Sequence, residues 1–138
     1  MAEGIRLSGA VMFVRNLDRS VSFYRELLGL QETDRSPTAA LLVNDDGSQL
    51  VLRATGQNAP HALGAIGPQY LTWTTSSKDD LDQLAGTLRA HSAYRETRTD
   101  GEVSVVEGRD PDDLVVLLIY AGPGTNPMPR LPARIYAW

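Results

Sequence analysis

Residues Val14–Leu30, VRNLDRSVSFYRELLGL, carry an apolar strand end through a polar cap into an amphipathic helix, and the segments on either side take their places from it. The helix is expected over about Asp18–Leu28, with Asn16 or Asp18 offering a side-chain oxygen to the free amides at its start. Val21, Tyr24 and Leu28 recur at i, i+3 and i+7, and Phe23 and Leu27 widen that stripe, so one face is built for burial. Gly29 stands where a helix ends in left-handed backbone. Upstream, residues 8–15 read as a buried strand. Downstream, short strands are expected at 31–34, 39–44 and 48–54, the last two joined through the turn Asp45-Asp46-Gly47.

Residues 56–68, with three glycines, two prolines and no period, read as a connector. The same order of elements then returns. A strand at 69–75 precedes a helix at 78–91, where Ser77 and Asp80 have capping-box spacing and Leu81, Leu84, Ala85 and Leu88 form the apolar face. Strands at 94–98, 102–108 and 114–120 follow, with Asp100-Gly101 as a turn. At an offset of 61, Asp18 meets Asp79, Phe23 meets Leu84 and Leu27 meets Leu88. The expected fold is α+β: two βαβββ modules forming a curved half-barrel sheet with an enclosed cleft. The 138 residues make one domain, with module one at about 7–55, a linker at 56–68, module two at about 69–121 and a Pro-rich tail at 122–138.

Period-two alternation assigns the strand faces. Ala10, Met12 and Val14 are expected to face the helices, with Gly9, Val11 and Phe13 on the opposite, concave side. Leu71 and Trp73 go behind, leaving Tyr70, Thr72 and Thr74 on the concave side. Val116, Leu118 and Tyr120 go behind, and Val115, Leu117 and Ile119 forward. Both faces of that last strand are apolar, so its concave side is expected to be covered rather than wet.

Composition narrows the function. Thirteen Lys and Arg against seventeen Asp and Glu give a net charge of -4, which argues against nucleic acid or an anionic membrane surface as partner. There is no cysteine, so disulfides, thiolate metal sites and cysteine nucleophiles are excluded. No apolar run approaches the roughly 20 residues of a membrane span. The opening Met1–Arg6 has no long apolar stretch, so a soluble, cytoplasmic protein is expected.

The run Val14–Leu30 resembles the first-helix signature of the vicinal oxygen chelate superfamily, which holds glyoxalase I, extradiol dioxygenases, fosfomycin-resistance enzymes and bleomycin-resistance proteins. Asp110-Pro111-Asp112-Asp113, followed by an apolar strand, is similar to the turn before that family's last strand, with Asp113 in place of the usual Gly. The likeness covers residues 7–121. In the family's metalloenzymes four inward side chains, usually His and Glu, hold a divalent ion. The resemblance puts those positions at Gly9, at or next to Val51, at Tyr70 or Gln69, and at Leu117. None is His, Asp or Glu, and the neighbours Ser8, Ala10, Leu50, Leu52, Leu71, Val116 and Leu118 supply no ligand either. The expectation is therefore no metal and no cofactor, which disfavours glyoxalase, dioxygenase and metal-dependent transferase chemistry.

What the resemblance then implies is the metal-free branch: a small homodimer that binds and sequesters an antibiotic-like aromatic or hydrophobic molecule, as bleomycin-resistance proteins do. The alternative is a metal-free enzyme of secondary metabolism, an isomerase, cyclase or lyase, so enzymatic activity stays open, with binding favoured. A regulatory domain with a vestigial cleft is the third reading. The candidate ligand-binding residues are Val11, Phe13, Gln49, Val51, Arg53, Tyr70, Thr72, Thr74, Leu117 and Ile119, an apolar wall with a few orienting donors. A planar ligand can stack on Phe13 or Tyr70, and Arg53 can pair with a carboxylate or phenolate or stack on a ring.

The catalytic candidates are Tyr70, Glu107 and His61. Each also has a plainer reading. His61 reads as an exposed linker residue and His91 as a cation at a helix C-terminus. Trp73 reads as core; Asp79, Asp80 and Asp82 as partners of a helix dipole; Asp110, Asp112 and Asp113 as turn formers. Glu102 and Glu107 lie on opposite faces of one strand, with exposure at the rim expected for Glu107. Ile135, Tyr136 and Trp138 are expected to dock rather than stay in water.

Overall fold

The structure, a computed structural model, describes residues 4–60, 66–125 and 127. The expectations for His61 and for Ile135, Tyr136 and Trp138 fall outside the described residues. The element order is β1 (Gly9–Val14), α1 (Leu17–Leu28), β2 (Gln31–Arg35), β3 (Ala39–Val43) and β4 (Gln49–Ala54), then β5 (Leu71–Thr74), α2 (Lys78–Ala90), β6 (Tyr94–Asp100), β7 (Val103–Arg109) and β8 (Val115–Ala121). The βαβββ order occurs twice. The chain divides into two compact units, the first ending at Pro60.

Each unit has its own four-stranded sheet, ordered β1-β4-β3-β2 and β5-β8-β7-β6. The β1–β4 and β5–β8 pairs are parallel and the others antiparallel. The α+β fold of two βαβββ modules is as the sequence led one to expect, with one four-stranded sheet in each module. The first strand of each module pairs with the last strand of the same module, so the described ladders close within each unit.

Local chemistry sets the helix ends. Asn16, not Asp18, caps α1: it is extended, and its side chain accepts from the Arg19 amide at 3.0 Å. Gly29 ends the helix at φ 68°, its N–H on the Arg25 carbonyl. Ser77 caps α2 by accepting from the Asp80 amide, while the Asp80 carboxylate takes the Ser76 hydroxyl at 3.2 Å. His91 is the exposed C-cap of α2, as its plainer reading had it.

In the first unit α1 packs on β3 and β4. Leu17, Val21, Tyr24 and Leu27 are buried, as are Val14, Ala40, Leu42, Leu50 and Leu52 on the sheet. Leu42 and Leu52 are wholly closed to solvent, so truncating either to Ala costs about 2–5 kcal/mol. The β3–β4 turn is tied by Asp46, which accepts from both the hydroxyl and the amide of Ser48, at 2.6 and 2.9 Å. Those two bonds hold its carboxyl below the ordinary carboxylate value. The outer strand β2 is held by ion pairs, Arg35 reaching Glu32 at 2.7 Å and also Asp18 of α1.

In the second unit Leu81, Ala85 and Leu88 of α2 are buried, as are Val106, Val116 and Leu118 of the sheet. Trp73 lies in register with Leu118 and is half-buried on that helix side. The turn before β8 is built by Asp110, which accepts from the amides of Asp112 (2.8 Å) and Leu114 (2.9 Å). Asp113 takes left-handed backbone there, at φ 65°, the conformation its place in the turn demands. The outer strand β6 is exposed from Arg95 to Asp100 and rich in charge.

Two glycines of this unit should respond oppositely to one methyl group. A Cβ on Gly108 would lie 2.8 Å from both Leu88 methyls and 2.9 Å from the Ala93 carbonyl oxygen, whereas one on Gly86 of α2 meets nothing within 4 Å. In urea unfolding, Gly108→Ala is expected to destabilise by about 1–3 kcal/mol. Gly86→Ala should stabilise by about 0.5–1 kcal/mol through helix propensity.

Candidate functional site

The sheet face turned away from α1 is where the first unit presents its candidate residues. The parallel register sets Gly9 beside Gln49, Val11 beside Val51 and Phe13 beside Arg53. The β3–β4 hairpin extends those rows with Val43, Leu41 and Ala39, and β2 adds Asp34 beside Leu41. Val11 is 66% exposed and Phe13 60% exposed, which is unusual for side chains this large and apolar. Gln49 and Arg53 are exposed, and Val51 is half-buried. The Arg53 guanidinium carbon stands 5.7 Å from the centre of the Phe13 ring, a cation–π pair across the two strands. Leu41 and Ala39 were not among the sequence candidates. Counting outward from the Asp45-Asp46-Gly47 turn would have found them, since each pairs with a candidate on β4.

Gly9 makes the tightest approach on this face. A Cβ built on it would lie 2.6 Å from the Gln49 carbonyl oxygen, which is backbone and cannot swing aside. Position 9 therefore has no room for a side chain of any kind unless β1 moves relative to β4.

The equivalent face of the second unit differs. Thr72 and Thr74 of β5 are exposed, and Tyr70, just before β5, is half-buried. Their register partners on β8 are Leu117 and Ile119, only 4% and 3% exposed. Val115 is buried as well. Leu117 and Ile119 are thus closed to solvent, as an apolar covered strand requires, and offer no open wall to a ligand in this conformation.

Glu107 corrects an expectation. It is not at an exposed rim: it is 7% exposed, on the face turned away from α2, paired in register with Leu117 on one side and Glu96 on the other. Burial of a carboxylate requires counter-charge. Arg109 stands 3.5 Å from one of its oxygens and Arg98 4.0 Å from the other, while Arg98 also lies 3.4 Å from Glu96. The partners come from the next odd position on β7 and from β6 beyond a register shift between Tyr94 and Glu96, so sequence spacing alone did not join them.

A family model described as the Glyoxalase/Bleomycin resistance protein/Dioxygenase superfamily matches residues 6–118. A manganese-dependent 2,3-dihydroxybiphenyl 1,2-dioxygenase from Geobacillus genomosp. 3 is 28% identical over 95 residues, which is 64% of this chain and 27% of that protein's length. A glyoxylase/bleomycin resistance protein/dioxygenase domain from Frankia sp. EAN1pec superposes with a TM-score of 0.75 at 25% identity, covering 91% of this chain and 96% of that one. A lactoylglutathione lyase from Agrobacterium tumefaciens shares the fold, with a TM-score of 0.68 at 17% identity over 86% of this chain and 96% of that one.

Manganese dependence belongs to that dioxygenase. Here the residues at the expected ligand positions do not fit a divalent ion. Val51 and Leu117 have no donor atom and Gly9 has no space for one, which leaves a single oxygen, from Tyr70 or Gln69, among the four positions. Among the described residues no group of three or more His, Asp or Glu side chains is placed to hold a metal.

The Glu107 cluster yields a stability prediction. Glu107→Gln keeps the shape but removes the charge that faces Arg109 and Arg98, and is expected to destabilise by about 1–3 kcal/mol in urea unfolding. An unchanged midpoint would mean that the two arginines are satisfied by water.

Proposed function

Because the chain belongs to the Glyoxalase/Bleomycin resistance protein/Dioxygenase superfamily, we propose that it binds and sequesters an aromatic or hydrophobic small molecule without a metal ion, on the sheet face turned away from its helix. The observation that carries this reading is the pair Val11 and Phe13, left 66% and 60% exposed beside half-buried Val51. Covering an apolar side chain of this size is worth about 1.5–3 kcal/mol, so a flat apolar molecule laid on β1 and β4 gains most of its affinity by contact. Gln49 and Arg53 supply the polar orienting groups that such sites contain in small number. A homodimer in the cytoplasm, holding an antibiotic-like compound, is part of the same proposal.

The second reading is a metal-free enzyme on this scaffold, an isomerase, cyclase or lyase, and the observation that favours it is Glu107. On the helix-free face Glu107 is a carboxylate flanked by Arg98 and Arg109, and it is the candidate general base of this reading. The two readings separate in one variant. If the chain is a catalyst, Glu107→Gln stops turnover while leaving affinity largely intact. If it is a binding protein, captured compounds come back unchanged.

The test is a thermal-shift and native mass-spectrometry screen against aromatic natural products, with Mn²⁺, Zn²⁺ and Ni²⁺ as controls. One compound per chain is expected, at a dimer mass. A ligand present at a hundred times its Kd should add about 2.7 kcal/mol of stability and raise Tm accordingly. Stoichiometric metal binding with a rise in Tm would overturn the metal-free reading, and chemical conversion of the captured compound would establish the second.

A further inference from the structure

The polarity of the ligand follows from what surrounds Arg53. Arg25, Arg35, Arg95, Arg98 and Arg109 each have a carboxylate within 4.0 Å. Arg53 has none among the described residues. Its recorded contact is the Phe13 ring, and its register neighbours on the sheet, Phe13 and Ala39, are uncharged. Arg89 also lies over a ring, but at 4.1 Å from the centre of Tyr94, a half-buried residue whose hydroxyl is engaged with Thr97 at 2.7 Å. That is a closed packing contact. Arg53 instead stands 5.7 Å from a ring that is itself 60% exposed, near the outer limit of such pairs, so both the ring and the guanidinium donors remain available.

We infer that the molecule held on this face is an aromatic carboxylate, its ring laid on Phe13 and Val11 and its carboxylate paired with Arg53. The inference rests on the sequestering role proposed above and adds the charge of the ligand to it. A guanidinium presents a planar fork of N–H donors that matches a carboxylate in two parallel hydrogen bonds, and an apolar surround strengthens that pair. Overall the chain is negative, at -4, so the Arg53 guanidinium beside exposed apolar side chains is a local feature that favours an anion there. Attraction of this kind weakens with salt, whereas the ring contact does not.

The test uses naphthoate and its neutral isostere naphthamide, titrated into the full chain by calorimetry at low and high salt. Naphthoate is expected to bind about fivefold more tightly than the amide at low salt, a gap of the size that separates charge-assisted from neutral hydrogen bonds. The gap should narrow at high salt. Arg53→Gln is expected to bring naphthoate down to the amide's affinity and leave the amide unchanged, Phe13→Leu to weaken both, and Arg89→Gln to change neither. Equal affinities for the two probes, or a naphthoate preference that survives Arg53→Gln, overturns the inference while the sequestering role stands. Binding of neither probe overturns both.

Discussion

Each half of the chain closes by laying its last strand parallel to its first, β4 against β1 and β8 against β5. A parallel pair cannot be made by a tight hairpin; here the chain leaves β1 through a crossover helix, which covers one face of the sheet, before the later strands lead back. Everything that distinguishes the two faces follows. The pairing puts Leu50 and Leu52 under α1 and sends Val51 and Arg53 the other way, beside Val11 and Phe13. The candidate site is therefore not an addition to the fold. It is the face that the crossover helix leaves bare.

The two halves use that bare face differently. In the first, apolar residues stand open beside a cation. In the second, the apolar strand β8 is closed on both faces and the polar content is a buried carboxylate between two arginines. A duplicated frame thus carries two unlike surfaces, one suited to contact and the other to charge. Gly9 sharpens the contrast, because its approach to the Gln49 carbonyl oxygen leaves the edge of the first surface flat.

Much of the architecture was legible because its signals are local. Asn16, Gly29 and Ser77 mark helix ends through hydrogen bonds made within a few residues, and of the α1 stripe Val21, Phe23, Tyr24 and Leu27 are buried while Leu28 is half-buried. Asp113 takes the left-handed conformation that its place in the Asp-Pro turn requires. Strand alternation also put Val11, Phe13, Thr72 and Thr74 together on the helix-free faces. Alternation does not measure depth, however. Thr72 and Leu117 are register partners on one face, yet the first is exposed and the second buried. Depth depends on what lies over a residue, which is set by contacts distant in the chain. Glu107 escaped for the same reason: its burial is made tolerable by Arg98, which reaches it from another strand beyond a register shift.

One of the two outermost strands of each sheet is strongly charged. β2, with Gln31, Glu32, Asp34 and Arg35, and β6, with Arg95, Glu96, Arg98 and Asp100, are short or densely charged and carry little apolar surface outward. Unpaired sheet margins are where chains recruit one another into growing ribbons, and charge of mixed sign is the usual deterrent. The opposite margin of the first sheet is β1, so the exposed Val11 and Phe13 stand at an edge of that sheet. Charge therefore guards one margin of that sheet while an apolar patch beside Arg53 occupies the other.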